Sequence, residues 1–372
     1  MNMIAAALPS ILRPLKVVLP GGSGQVGQAL ARSFSERGHQ VTVLTRGPYT
    51  APWNTVHWDG EEIGSWTESL EGADVCINLA GRSVNCRYDA TNRQAIYESR
   101  IRSTRLLGSV IAGLSEPPRV WLNASAATIY MHAVDDDGVD LPMDEACELS
   151  GDESANDDSE KLDSGAKAHA DSVGLMRGLK PPPPSGSNYS ERWAERKGFS
   201  ARVARDWEAA FFEIETPRTR KVALRSAVVL SPTPGSAFGV LSNLVRFGLG
   251  GKQGNGRQFV CWIHEADYAR AVEFLIEHEE LQGPINIVAP HPLANREFMA
   301  ALRWAWDVPN GLPAPSLAIK LGALLMRTES ELVLQSCRAV PGRLLNAGFT
   351  FEFPEWAEAA EDLVRQWRQR ND

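Results

Sequence analysis

The chain has 372 residues, with Lys+Arg 38 against Asp+Glu 46 and a net charge of −8. Hydrophobic residues make up 43% and charged residues 23%, ordinary globular usage that excludes a wholly disordered chain. The acidic balance excludes a nucleic-acid binder, which carries a basic excess. The charge is uneven: Asp135 to Asp163 holds 13 acids and a single base, Lys161, so the remainder is slightly basic. Five cysteines, none spaced as C-x-x-C, read as reduced thiols of a cytoplasmic protein, with neither a disulfide framework nor a metal site. No apolar run approaches the roughly 20 residues that span a bilayer. Met1 to Lys16 lacks a cleavage pattern and reads as a ragged terminus before the first strand.

Strand and helix patterns alternate from there. Lys16 to Leu19 predicts a strand. Gln25 to Arg37 predicts a helix, with Val26, Leu30 and Phe34 on one face and Gly38 as its stop. Strands follow at Gln40 to Leu44, Asn54 to Trp58 and Ala73 to Leu79, then a long helix over Arg87 to Leu114 and a strand at Arg119 to Ala124. Asp135 to Tyr189 is acidic, then Ser/Gly/Ala-rich, then carries Pro181 to Pro184. It has too few large apolar residues to offset ordering and reads as a mostly flexible insert. Order resumes with a helix over Phe199 to Ile214, a strand over Lys221 to Leu230, and a helix over Phe238 to Phe247. The Gly-rich stretch Gly248 to Gly256 lacks the Lys-Ser/Thr of a P-loop and reads as a flexible rim. A strand at Phe259 to Ile263, a helix at Ala266 to Glu279, capped by His264 or Asp267, and a strand at Pro284 to Val288 come next. A small helical unit from Leu312 onward contains a helix at Leu317 to Met326. Trp304, Trp306, Trp356 and Trp367 read as core and domain packing.

The expected fold is α/β: a Rossmann-type doubly wound parallel sheet, a smaller substrate lobe and a C-terminal helical domain. The expected units are a nucleotide-binding domain at 15–230, with the insert at 135–190, a substrate lobe at 231–311 that returns a helix and a strand to the sheet, and a C-terminal domain at 312–368.

The most informative stretch follows the first strand and opens a helix: Gly21, Gly22, Ser23, Gly24, Gln25, Val26, Gly27. In it Gly21 permits a tight turn, Gly24 lets backbone N–H groups approach a pyrophosphate, and Gly27 lets helix and strand pack closely. The helix N-terminus adds partial positive charge and free donors. The second strand ends at Thr45 and Arg46, where an NAD-preferring site places a carboxylate. A guanidinium there suits a 2′-phosphate, so NADP(H) is the expected cofactor. Asn78, Ala80 and Gly81 end the fourth strand and let the cofactor lie against the sheet. Ser125, Thr128 and Tyr130, after the fifth strand, are the hydroxyls nearest the expected nicotinamide.

These residues resemble the extended short-chain dehydrogenase/reductase superfamily. The stretches Asn78-Leu-Ala-Gly, Glu98-Ser-Arg-Ile-Arg-Ser-Thr-Arg, Asp206-Trp-Glu, the run Gly254 to Asp267, Gly283 to Pro290 and Pro341 to Phe349 are similar to an atypical epimerase-like branch with a small extra C-terminal domain. The resemblance implies NADP(H) binding and an oxidoreductase or isomerase ancestry. It also implies a Tyr-x-x-x-Lys proton relay, which this chain lacks: none of its six tyrosines has lysine four positions on. With Tyr130 matched to the tyrosine after the family's Ser/Thr, that position falls on Ala126, with Ser125 and Thr128 beside it. The family's helix asparagine falls near Arg100. Two readings follow. In one, Tyr130 supplies the proton, its pKa lowered by Arg100 or Arg202, in an NADP-dependent oxidoreductase or epimerase-like enzyme on a small polar substrate. In the other, the chain is a catalytically weak or inactive NADP(H)-binding regulatory or scaffold protein. Expected partners are a small-molecule substrate, without nucleic acid or membrane, and a homodimer is allowed.

Overall fold

The computed structural model describes residues 13–130, 142–147, 199–233, 235–316, 319 and 334–371. The expected ragged start, most of the acidic insert with its proline run, and the helix at Leu317 to Met326 (Ile319 apart) lie outside them.

The first half follows the βαβ pattern: β1 (Lys16–Pro20), α1 (Gln25–Glu36), β2 (Gln40–Thr45), β3 (Asn54–His57), β4 (Val75–Asn78), α2 (Ala90–Gly113), β5 (Val120–Ala126). After the insert come α3 (Phe199–Glu213), β6 (Arg220–Ser226), β7 (Val228–Leu230), α4 (Ala237–Arg246), β8 (Phe259–Val260), β9 (Trp262–His264), α5 (Glu265–Glu277), β10 (Gly283–Ile287), β11 (Leu293–Ala294), α6 (Asn295–Ala305), α7 (Gly342–Asn346) and α8 (Trp356–Asn371). Seven strands form one parallel sheet in the order β10-β6-β5-β4-β1-β2-β3. The direction of winding reverses between β1 and β4, which opens a crevice at the carboxyl ends of those strands.

Strand alternation divides the core into two layers. Val17, Leu19, Val75, Ile77, Val120, Leu122, Val222 and Leu224 face α1 and α5, meeting Leu30, Phe34, Val272 and Leu275. Val18, Cys76, Trp121 and Ala223 face the other way, against Leu107 and Ile111 of α2 and Phe211 of α3. Helix α2 starts where the Asp89 side chain accepts the Asn92 N–H at 2.8 Å.

Two expected strands are each broken in two. The run Lys221 to Leu230 leaves the main sheet after Ser226. There the Ala227 N–H bonds Ile287 O, and β7 pairs with β9 in a separate ribbon. The run Phe259 to Ile263 breaks at Cys261, so that β8 pairs with β11 and β9 with β7. Residues 142–147, expected within the flexible insert, are tied down. The Met143 N–H bonds Arg338 O and its carbonyl accepts the Val340 N–H, while the Glu145 carboxylate accepts the N–H groups of Asn286 and Arg343.

A second core joins Phe238, Trp262, Phe298, Met299 and Leu302 to Trp356, Leu363, Val364 and Trp367 of α8, so the last helix shares its core with the lobe before it. Trp356 stacks on Phe298 at 4.1 Å. Trp304 departs from the packing expectation: it is 78% exposed. The helix cap is His264, whose Nδ1 accepts the Ala266 N–H. Asp267 instead accepts the N–H groups of Glu352 and Phe353, and Asp362 of α8 lies 3.2 Å from His264 Nε2. Among the described residues no helix is long and apolar enough to cross a membrane.

One carboxylate couples α1 to α5. Glu273 pairs with Arg37, yet burial pushes its pKa up to about 7. The unfolded chain, with an ordinary carboxylate, releases this proton first as pH rises. Stability is therefore lost between about pH 4.5 and 7. Glu273→Gln should flatten that slope and leave the variant more stable than the parent above pH 7, by up to about 3 kcal/mol. Urea denaturation at pH 5 and pH 8 measures this, and an equal pH slope in both proteins would refute it.

Candidate nucleotide and active site

The turn after β1 is built from glycine because nothing larger fits. Gly21 has φ +75, and a Cβ there would lie 2.7 Å from the Ala80 backbone. A Cβ on Gly27 would fall 2.4 Å from Gly22, so helix and turn touch through bare backbone. Gly24 differs: it is exposed, and the nearest atom to its would-be Cβ is Gly21 O at 3.7 Å. Gly24 is also the N-cap of α1, with no side-chain cap and no acid in the first helical turn. The first N–H groups of this 12-residue helix therefore have no side-chain cap, which suits an anion. Around them Ser23 and Thr45 share a hydroxyl–hydroxyl bond of 3.0 Å, the Gln25 amide donates to Val229 O, and Val26 packs on the core. Arg46, beyond β2, is exposed and makes no ion pair among the described residues.

Asn78 is fully buried and acts as a clamp. Its amide donates to Asn123 Oδ1 at 2.6 Å and Thr104 Oγ1 at 3.2 Å, and its oxygen accepts the Ala80 N–H. That holds Ala80 against Gly21. The next residue, Gly81, lies against Arg100, 3.2 Å from its would-be Cβ to the guanidinium carbon. Burial lowers the Arg100 pKa to about 10; the side chain bonds the Ile96 and Arg82 carbonyls and covers the Trp207 ring.

The three hydroxyls at the end of β5 and just beyond it separate. Thr128 is half-exposed, with no side-chain hydrogen bond among the described residues. Ser125 donates to Glu208 Oε1 at 2.6 Å, and Glu208 takes a two-pronged bond from Arg225, at 2.9 and 2.8 Å. The remaining Arg225 nitrogen donates to the Tyr130 oxygen at 3.0 Å, and Tyr130 donates its proton to Asn286 Oδ1 at 2.5 Å. Tyr130 is 4% exposed, and burial raises its pKa well above the usual phenol range. The cation beside it is Arg225, where Arg100 or Arg202 was expected. The phenol is thus neutral and anchored, the opposite of the lowered pKa that proton exchange at neutral pH needs.

Glu208, Arg225 and Asn286 were not among the candidates from sequence. Their signal is polarity in apolar runs: Arg225 follows Val222, Ala223 and Leu224, and Asn286 lies between Ile285 and Ile287.

Residues 17–150 match the NAD dependent epimerase/dehydratase family, and residues 314–363 match DUF1731, a domain of unknown function. The chain thus carries an epimerase/dehydratase-like segment and a DUF1731 segment. It is 28% identical to the epimerase family protein SDR39U1 of Bos taurus, over 94% of this chain and 100% of the relative. An epimerase family protein of Mycobacterium leprae is 29% identical, over 93% of this chain and 95% of its own length. Human SDR39U1 (isoform 2), solved with NADPH, superposes with a TM-score of 0.72 at 25% identity, covering 94% of this chain and 99% of that one. The UDP-N-acetylglucosamine 4-epimerase of Bacillus cereus, at 15% identity and a TM-score of 0.65, shares the fold.

The Tyr130 hydroxyl serves two buried partners at once. Tyr130→Phe should leave an Arg225 N–H and the Asn286 carbonyl oxygen unsatisfied and cost about 1–3 kcal/mol of stability. Urea denaturation measures this, and an unchanged unfolding free energy would show that the hydroxyl anchors nothing.

Proposed function

We propose that the chain binds NADP(H) at the carboxyl edge of β1, β2 and β4 and acts as an oxidoreductase or epimerase-like enzyme on a small polar substrate. The observation that carries this reading is the pairing of an open, uncapped α1 N-terminus at Gly24 with the exposed Arg46 at the end of β2. Backbone donors suit a pyrophosphate, and the guanidinium suits a 2′-phosphate where a carboxylate would repel it. The turn has room for the group: Gly24 is exposed with no neighbour close to its would-be Cβ. Human SDR39U1, similar to this chain over nearly its whole length, was solved with NADPH, which supports the same choice.

When bound, the nicotinamide would supply or accept a hydride. Around it the chain's own residues hold the turn (Gly21, Gly22, Ser23, Gln25, Val26, Gly27), the floor (Asn78, Ala80, Gly81) and the adenosine end (Thr45, Arg46). Of Ser125, Thr128 and Tyr130, Thr128 is the half-exposed one, and so the better placed to touch a substrate. Ser125 and Tyr130 act as positioning residues through Glu208 and Arg225.

A specific observation favours a second reading, a cofactor-binding regulatory or scaffold protein: the phenol at this edge, Tyr130, is buried and engaged. Reduction or oxidation of any carbonyl, alcohol or nucleotide-sugar substrate with turnover of NADP(H) decides for the enzyme.

Arg46→Gln should weaken NADPH binding about tenfold or more while changing NADH affinity little. Isothermal titration with both nucleotides measures this. A parent protein that binds NADH as tightly as NADPH would reject the cofactor choice, and one that binds neither would reject the whole reading.

A further inference from the structure

The nucleotide reading leaves a second group of cations at the same edge. Arg82 and Arg87 lie in the loop between β4 and α2, Arg93 in the first turn of α2, and Arg202 in the first turn of α3. Ten other arginines of the described residues sit in ion pairs with carboxylates. These four have no carboxylate at ion-pair distance among the described residues. The guanidinium of Arg87 has no side-chain partner among them, and that of Arg82 bonds only the neutral Asn92 Oδ1 at 2.8 Å.

Two of the four lie near one ring. The guanidinium carbons of Arg93 and Arg202 lie 5.5 and 5.9 Å from the centre of one ring, Phe199. The Arg202 Nε is buried with no hydrogen-bond partner among the described residues. Nearby acids have other partners: Asp89 caps α2, Glu98 pairs with Arg102 at 3.1 Å, and Asp206 accepts a bond from Tyr97 while the charges of Arg202 and Arg205 act on it from beyond ion-pair distance. Guanidinium groups with no carboxylate at ion-pair distance among the described residues are free to donate charge-assisted bonds to an anion.

The cluster is continuous with the nucleotide turn. Phe199 packs edge-on against Tyr88, the last ring of the β4–α2 loop, at 5.1 Å. The same loop carries Gly81, against Arg100, one residue beyond the Ala80 that touches Gly21.

We propose that Arg93 and Arg202, with Arg82 and Arg87 at the mouth, hold an anionic group of the substrate, so that the substrate class is small organic phosphates or carboxylates. This rests on the proposed nucleotide site only for where the reacting carbon lies.

The test uses the full chain saturated with NADPH, so that the glycine turn is filled. Inorganic pyrophosphate and citrate are titrated at constant ionic strength by calorimetry, with glucose as the neutral control. The expected result is saturable binding of at least one anion and none of glucose; the tighter anion tells phosphoryl from carboxylate. Arg93→Gln with Arg202→Gln should weaken that anion about tenfold or more. Arg93→Lys with Arg202→Lys should restore part of the loss, and NADPH affinity should stay within about twofold as the control for folding. No anion binding by the NADPH-saturated parent, or equal anion affinity in parent and Gln variant, would overturn the proposal. If NADPH itself does not bind, the nucleotide reading fails. The anion titration of parent and Gln variant without nucleotide then decides the cluster alone, by the same difference in affinity.

Discussion

Two opposite charges, Glu208 and Arg225, are buried together behind the carboxyl edge of the sheet. Removing such charges from water costs several kcal/mol each, and only a nearly complete set of hydrogen bonds offsets it. Here Glu208 accepts from Ser125 and doubly from Arg225, and Arg225 gives its last bond to Tyr130. Through Tyr130 the network reaches Asn286, whose amide donates to Val340 O. One ion pair therefore fixes α3, β5, β6, β10 and the segment before α7 relative to one another. At its far end it holds the Tyr130 phenol between Arg225 and Asn286.

A second set of bonds keeps the lobe and the C-terminal segment in register with that edge. His264 caps α5 through Nδ1, which leaves its Nε2 toward Asp362 on α8. Asp267 ties the backbone of Glu352 and Phe353, and Phe353 stacks on the His264 ring at 4.1 Å. The run from Trp262 to Asp267 is thus a docking strip for the DUF1731 segment. Its polar residues serve the joint between two parts of the chain, which explains why they sit in a strand end and helix start far from the glycine turn.

Much of the fold was legible because local patterns and tertiary packing agree. The period-2 apolar runs at Lys16 to Leu19 and Gln40 to Leu44, the 3.6-period helix from Gln25 and the Gly38 stop each describe their own segment, and the sheet needs those same segments. The glycine turn was legible for the same reason: Gly21, Gly24 and Gly27 state steric needs that are local to one turn. Where the reading failed, neighbours distant in sequence intervened. Lys221 to Leu230 is one apolar run, yet a second ribbon with β9 takes its last three residues. Residues 142–147 sit in an acidic stretch, yet backbone bonds to Arg338 and Val340 hold them.

Short stretches of adjacent residues suffice to specify the parallel α/β architecture, the phosphate-friendly turn, the cation after β2 and the lack of a Tyr-x-x-x-Lys pair. Folding in three dimensions decides the rest: Tyr130 is buried and bonded, Glu208, Arg225 and Asn286 form its support, and Arg93 and Arg202 lie near one aromatic ring. Those outcomes depend on burial and on partners between 3 and 156 positions away along the chain, and a side chain's charge state follows from its surroundings, not from its spelling.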